Sequence, residues 1–186
     1  FDNTVGICCQ KVSEAEVFSR AGITDILITN QVCDPSKISR LCGIAQSGCR
    51  VTVCVDDLNN VTALAEEARQ QKTHLHCLVE LDCGAGRCGV AAPTQVLELA
   101  LAIDGFDSLT FDGLQAYQGS IQHEKSYKKR EEVMVGVISQ VDSCVTSLRS
   151  AGLSCNVVSG GGTGTFLLEA ASGIYTEVQC GSYAFM

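Results

Sequence analysis

Apolar strand-like runs alternating with helix-like runs predict an α/β chain on a parallel sheet, and more narrowly a (β/α)8 barrel lacking one unit. Three observations lead there. Seven strand-like runs are separated by helices on short links. The sixth run leads into Val158-Ser159-Gly160-Gly161-Gly162-Thr163-Gly164-Thr165-Phe166. The seventh leads into Gly181-Ser182-Tyr183. Successive N–H groups of such loops can converge on an anion, and in barrels a phosphate site often follows strands seven and eight. The two loops reach those places only if one strand is missing upstream. A doubly wound open sheet is the alternative, and for the glycine loop alone the rival is a flexible turn.

The elements follow in order. Val5–Cys9 reads as the first strand, and Ser13-Glu14-Ala15-Glu16 after it matches a capping box. Asp25–Thr29 is the second strand, and Pro35 opens the second helix. Val51–Val55 is the third strand, followed by a helix with Val61, Leu64, Ala65 and Ala68 on one face. Leu75–Leu81 is the fourth; the helix opening at Pro93 is expected to bury Val96, Leu97, Ala100 and Leu101. Leu109–Leu114 is the fifth strand, and a long helix from about Lys128 to Arg149 buries Val137, Val141, Val145 and Leu148. Leu153–Val158 and Tyr175–Gln179 are the sixth and seventh strands.

At 186 residues, the chain suits one domain, 1–186, with a full core. Hydrophobic content of 46% and charged content of 18% are globular values. No apolar run is long enough for a bilayer, and no signal peptide is visible. A net charge of −8 argues against a nucleic-acid partner. Lys128 and Glu132 can pair at i,i+4, so the one basic cluster reads as a solvated helix start. Twelve cysteines are many, but Cys8, Cys9, Cys54, Cys77 and Cys155 lie in apolar runs, and there is no CxxC pair. Free thiols in a reducing intracellular compartment, the cytoplasm, are expected. The chain opens on Phe1, almost directly on a strand, which suggests a piece of a longer protein.

Barrel sites gather at the C-terminal strand ends. Arg87, alone among small residues in Gly84-Ala85-Gly86-Arg87-Cys88-Gly89, is the best side-chain candidate; an ion pair with Asp82 is its structural alternative. Tyr117 could hold a ring or fill a core, and His123 reads as a surface histidine before the long helix. His74 and His76 point the same way on one strand but lack a third metal ligand nearby. Lys11, the one lysine near a strand end, reads as solvent-facing.

Gly6-Ile7-Cys8-Cys9-Gln10-Lys11-Val12-Ser13-Glu14-Ala15-Glu16, Asp25-Ile26-Leu27-Ile28-Thr29-Asn30, Gly84-Ala85-Gly86-Arg87-Cys88-Gly89-Val90 and Gly113-Leu114-Gln115-Ala116-Tyr117 together resemble the D-threonine aldolase family. So do Gly162-Thr163-Gly164-Thr165-Phe166 and the closing Gln179 to Met186. The resemblance covers essentially the whole chain in order. It implies an alanine racemase-type barrel that binds pyridoxal phosphate. Gly162, Thr163, Gly181 and Ser182 would hold the phosphate. Arg87 and Tyr117 would contact the pyridine ring or its substituents, with Gln10 and Asn30 close by. The Schiff-base lysine would lie upstream of Phe1, so no catalytic residue is expected in this chain. A C-terminal β-domain with the divalent-metal site (manganese, magnesium or similar) would follow Met186. Gln118 departs from relatives that carry histidine after the tyrosine.

The implied activity is metal-assisted cleavage of D-threonine, or another D-β-hydroxy-α-amino acid, to glycine and an aldehyde. D-serine dehydration on the same scaffold is the nearest rival, and a non-enzymatic pyridoxal-phosphate homeostasis protein is a second. Related folds imply a homodimer.

Overall fold

A computed structural model describes residues 3–184. Strand order is chain order, β1 through β7. The chain divides into two compact units, one running to Leu78 with Leu101–Phe111, the other Val79–Ala100 with Asp112 onward.

The first unit holds β1 (Ile7–Cys9), α1 (Val12–Arg20), β2 (Asp25–Ile28), α2 (Pro35–Gln46), β3 (Arg50–Val55), α3 (Leu58–Gln70) and the start of β4 (Leu75–Glu80). Strand β2 pairs in parallel with β1, Ile26 opposite Ile7, and with β3, Ile26 opposite Val51. Val51 to Val55 are buried throughout, as strands of a parallel sheet covered on both faces must be. The helices between start on side-chain acceptors. Asp34 takes the Lys37 N–H at 3.1 Å ahead of Pro35, and Asp57 takes those of Asn59 and Asn60 at 2.8 and 3.2 Å. Helix α3 buries the expected Val61, Leu64, Ala65 and Ala68.

Helix α1 starts two residues before the expected box. Lys11 is its N-cap, and the Glu14 carboxylate, not that of Glu16, accepts the N–H groups of Gln10 and Lys11 at 2.9 and 3.0 Å. Glu16 instead binds the Arg40 guanidinium through two hydrogen bonds at 2.7 Å.

The second unit takes in the end of β4, most of α4 (Pro93–Asp104), the end of β5 (Leu109–Gln115), α5 (Tyr127–Ser150), β6 (Val157–Gly160), α6 (Phe166–Ala171), β7 (Glu177–Val178) and a 3-10 turn at Ser182–Ala184. Strand β6 pairs in parallel with β5, Gly113 opposite Val157, and with β7, Ser159 opposite Glu177. A Cβ on Gly113 would lie 1.8 Å from the Val157 carbonyl oxygen, at a φ of +151°. Only glycine allows the two strands this approach.

Three sequence expectations need correction. The buried face of α4 is Val96, Leu99, Ala100 and Ile103, and Leu101 is 50% exposed. The i, i+3, i+4, i+7 stripe thus runs one residue-step round the helix from the one expected. The sixth strand starts at Val157, because Gly152 and Leu153 close α5. Gly152, at φ +82°, and Leu153 donate their N–H groups to Arg149 and Leu148, the paired bonds of a Schellman cap. The seventh strand is only Glu177–Val178, and Tyr175 is instead a buried side chain whose hydroxyl donates to Ala116 at 3.0 Å.

All twelve cysteines are free thiols. Cys9, Cys42, Cys54, Cys77, Cys83 and Cys144 are buried. Cys8, expected inside, is exposed, because successive residues of β1 face opposite ways. Lys128 and Glu132 approach to 3.9 Å, both exposed, a contact of little energetic weight. No helix among the described residues is long and apolar enough to cross a membrane.

Two outcomes are expected. Native protein treated with a disulfide reagent at neutral pH labels at Cys8 and Cys33 first, while Cys42, Cys83 and Cys144 react only on unfolding; peptide mapping of the labelled sites checks this. Burial pushes the Cys83 thiol up to about 12, and those of Cys42 and Cys144 to about 11. Gly113→Ala is expected to destabilise by about 3 kcal/mol or more, read by urea unfolding, because the methyl must part β5 from β6.

Candidate functional site

The strand ends of the second unit converge through their loops. After β4, the Leu81–Val90 bridge closes the base of a tight excursion, with Val90 donating to Glu80 and Asp82 to Val90, each at 2.9 Å. Inside it, the Asp82 carboxylate accepts the N–H groups of Gly84 and Gly86 at 2.9 and 3.0 Å. Asp82 shapes the turn and is not the partner of Arg87. The guanidinium lies 3.8 Å from Glu80 with its side chain 62% exposed, so the loop presents it outward on a long ion pair.

After β5, Gln118 is buried and ties two loops together. Its amide donates to the Cys83 carbonyl at 2.6 Å, and its oxygen accepts the Ser120 N–H and hydroxyl at 3.0 and 2.8 Å. Tyr117, half-buried beside it, reaches the glycine loop. A Cβ on Gly162 would lie 2.8 Å from the Tyr117 hydroxyl and 2.4 Å from Gln122 Oε1. On Gly164 it would lie 2.3 Å from the Gln122 carbonyl. The loop after β6 is therefore glycine-rich because another chain segment lies directly against its backbone.

Within this loop the Thr163 hydroxyl is buried with no hydrogen-bond partner among the described residues. The N–H groups of Gly162 and Thr163 make no hydrogen bond there either. A buried hydroxyl left unsatisfied costs about 1–3 kcal/mol, so a ligand that satisfies it is favoured. Adjacent N–H donors and a hydroxyl form the donor set that a phosphate group takes up. Donors further along the loop are committed. Gly164 N–H donates to Gln122 Oε1 at 2.9 Å, and Phe166 N–H donates to the Gly162 carbonyl at 2.9 Å.

After β7, Gln179 holds the next segment onto the same loop. Its N–H donates to the carbonyls of Gly160 and Gly161 at 2.9 Å, and its side-chain amide donates to Ser159 Oγ at 2.6 Å and Gln115 Oε1 at 2.7 Å. Gly181 and Ser182 follow directly, both exposed, with the Gly181 carbonyl accepting Ala184 N–H at 3.0 Å.

A further set of residues was not anticipated from the sequence. Gln122 donates both amide protons, to Thr165 Oγ1 at 2.8 Å and to the Gln118 carbonyl at 2.9 Å. Thr165 Oγ1 in turn donates to Glu169 Oε1 at 2.7 Å. Glu169 is completely buried, which pushes its carboxyl above the usual range, and its Oε2 has no partner among the described residues. The available signal was the i,i+4 spacing of Thr165 and Glu169 across a short helix.

In the first unit, Gln10 and Asn30 lie together, with the Asn30 amide 3.5 Å from the Gln10 carbonyl. They line a cavity of about 580 Å³ with Lys11, Cys33, Asp34 and Lys37. His74 donates or accepts at Thr110 Oγ1, 2.7 Å away, edge-on to His76, and His123 is exposed. Among the described residues no group of three metal-binding side chains is gathered. Of the expected residues, Tyr117, Gly162 and Thr163 are thus brought together, Gly181 and Ser182 adjoin them through Gln179, and Gln10 meets Asn30.

A family model described as the alanine racemase N-terminal domain matches residues 2–186. The 3-hydroxy-D-aspartate aldolase of Paracoccus denitrificans (strain Pd 1222) is 51% identical over 183 residues, 98% of this chain and 47% of that protein. The D-threonine aldolase of an Arthrobacter species is 44% identical over 181 residues, 97% of this chain and 48% of that protein. The crystal structure of D-threonine aldolase from Filomicrobium marinum superposes with a TM-score of 0.96 at 40% identity, over 99% of this chain and 50% of that one. The chain spans about half the length of these relatives. The α/β barrel class and the aldolase resemblance read from the sequence are both borne out by these likenesses. The chain belongs to the alanine racemase N-terminal domain family.

Proposed function

We propose that residues 1–186 form the pyridoxal-phosphate-binding barrel domain of a longer lyase, which cleaves D-threonine or other D-β-hydroxy-α-amino acids to glycine and an aldehyde. The observation that carries this reading is the buried Thr163 hydroxyl beside the N–H groups of Gly162 and Thr163, all without a hydrogen-bond partner among the described residues. The aldolase names of relatives at 51% and 44% identity support the reaction class.

Gly162 and Thr163 take the cofactor phosphate, with Gly181 and Ser182 adding donors from the neighbouring segment. Tyr117 stands at the edge of this cradle, with its hydroxyl at Gly162, and Arg87 faces the ring. Gln10 and Asn30 meet each other within the first unit. When bound, the cofactor supplies the electron sink for carbon–carbon cleavage. The chain's own part is to fix the phosphate, orient the ring and exclude water. Among the described residues, the histidines and carboxylates do not gather into a divalent-metal site. A homodimer is assigned by analogy with related folds, and a reducing, cytoplasmic compartment accords with twelve cysteines outside any disulfide.

The test uses the full-length protein with pyridoxal phosphate and manganese, offered D-threonine, L-threonine and D-serine separately. Acetaldehyde and glycine are expected from D-threonine alone. Pyruvate and ammonia from D-serine without aldehyde would move the protein to the dehydratases, and bound cofactor without turnover would make it a carrier.

Two substitutions test the assigned residues. Thr163→Val is expected to weaken pyridoxal phosphate binding about tenfold, seen by equilibrium titration of cofactor absorbance. Arg87→Gln is expected to shift the absorption spectrum of the bound cofactor and change kcat, since a guanidinium near the ring nitrogen disfavours its protonation. Wild-type values for both quantities would remove Arg87 from the site.

A further inference from the structure

Glu169 is a completely buried carboxyl that the proposed reaction leaves unused. It sits behind the glycine loop, where a Cβ on Gly161 would meet its Cδ at 3.2 Å. The titratable groups facing it are Cys83 and Tyr175, both pushed upward, chiefly by burial. Burial pushes the Glu169 carboxyl above the usual carboxylate range as well.

In the observed arrangement the hydrogen bonds that start at Glu169 run one way, with Oε1 as acceptor. Oε1 accepts the only proton of the Thr165 hydroxyl. Thr165 Oγ1 is thereby left as an acceptor and takes a proton from Gln122 Nε2. That sets the Gln122 amide so that Oε1 faces Gly164 N–H and holds it at 2.9 Å. With no acceptor at position 169, the Thr165 proton could turn to Gln122 and favour the flipped amide. Nε2 would then face Gly164 N–H, donor against donor, and the loop would have to move.

We infer that Glu169 is a positioning residue for the phosphate cradle, acting through Thr165 and Gln122 to hold Gly164 and the glycine loop in the conformation that leaves the Gly162, Thr163 and Thr163 Oγ1 donors open. The inference rests on the reading of this loop as a phosphate site.

The test measures binding of pyridoxal phosphate and of pyridoxal, which lacks the phosphate, to the full-length apoprotein by absorbance titration. Glu169→Gln retains an acceptor oxygen and is expected to stay within about twofold of wild type for both ligands. Glu169→Leu and Thr165→Val are expected to weaken pyridoxal phosphate about tenfold and leave pyridoxal unchanged. Unaltered phosphate preference in the leucine and valine variants overturns the inference, and so does an equal loss of both ligands or a glutamine variant as weak as the leucine one. Wild-type protein that binds pyridoxal as tightly as pyridoxal phosphate removes the phosphate site itself, an outcome separate from failure of the variants alone.

Discussion

The second unit depends on how closely its backbone segments approach where β5 and β6 meet. Gly113 faces the Val157 carbonyl, Gly160 the Ala116 carbonyl and Gly164 the Gln122 carbonyl, each at a distance that excludes a Cβ. These are three separate positions along one seam. Strand pairing, the start of the glycine loop and its far end all need the same allowance. The loop's composition is therefore a packing requirement first, and its unclaimed donors follow from it. Side chains there would fill the space from which a ligand is approached.

The seam is braced by amides. Gln118, Gln122 and Gln179 each donate and accept at once, and between them they join the loops after β4, β5, β6 and β7. A glutamine can serve both roles without charge, which suits a wall beside the proposed phosphate site, where a carboxylate would repel the ligand. Glu169 is the exception by residue type, and its burial pushes the carboxyl above the usual range.

Much of this was legible in the sequence. Alternating apolar runs marked all seven strands, because parallel strands buried on both faces leave continuous hydrophobic stretches. The loop at Gly160 to Gly164 stood out because so many glycines in so few residues have few other uses. What was not legible turned on local competition. Leu153 looked like the start of a strand because it is apolar, yet its backbone closes α5. The face of α4 was misplaced because its sequence is apolar nearly all round, so periodicity barely distinguishes neighbouring stripes. An ion pair with Asp82 was the structural alternative for Arg87, but two glycine N–H groups claim that carboxylate. Glu169 was missed because the i,i+4 spacing from Thr165 does not by itself mark a buried acid, and Gln122, which bonds Thr165, comes from a distant loop.

The pairing of β5 with β6 has a consequence for assembly. Strands β6 and β7 are separated only by the glycine loop and the short α6, whereas the whole of α5, the longest helix, intervenes between β5 and β6. Closing the larger loop carries the greater entropic cost, and such non-local pairings form late. The β6–β7 corner can therefore gather early, while Tyr117 and Gln122 arrive only when β5 docks. A nascent chain of this unit would hold its strands before it held its cradle, so cofactor capture would report completion of the fold.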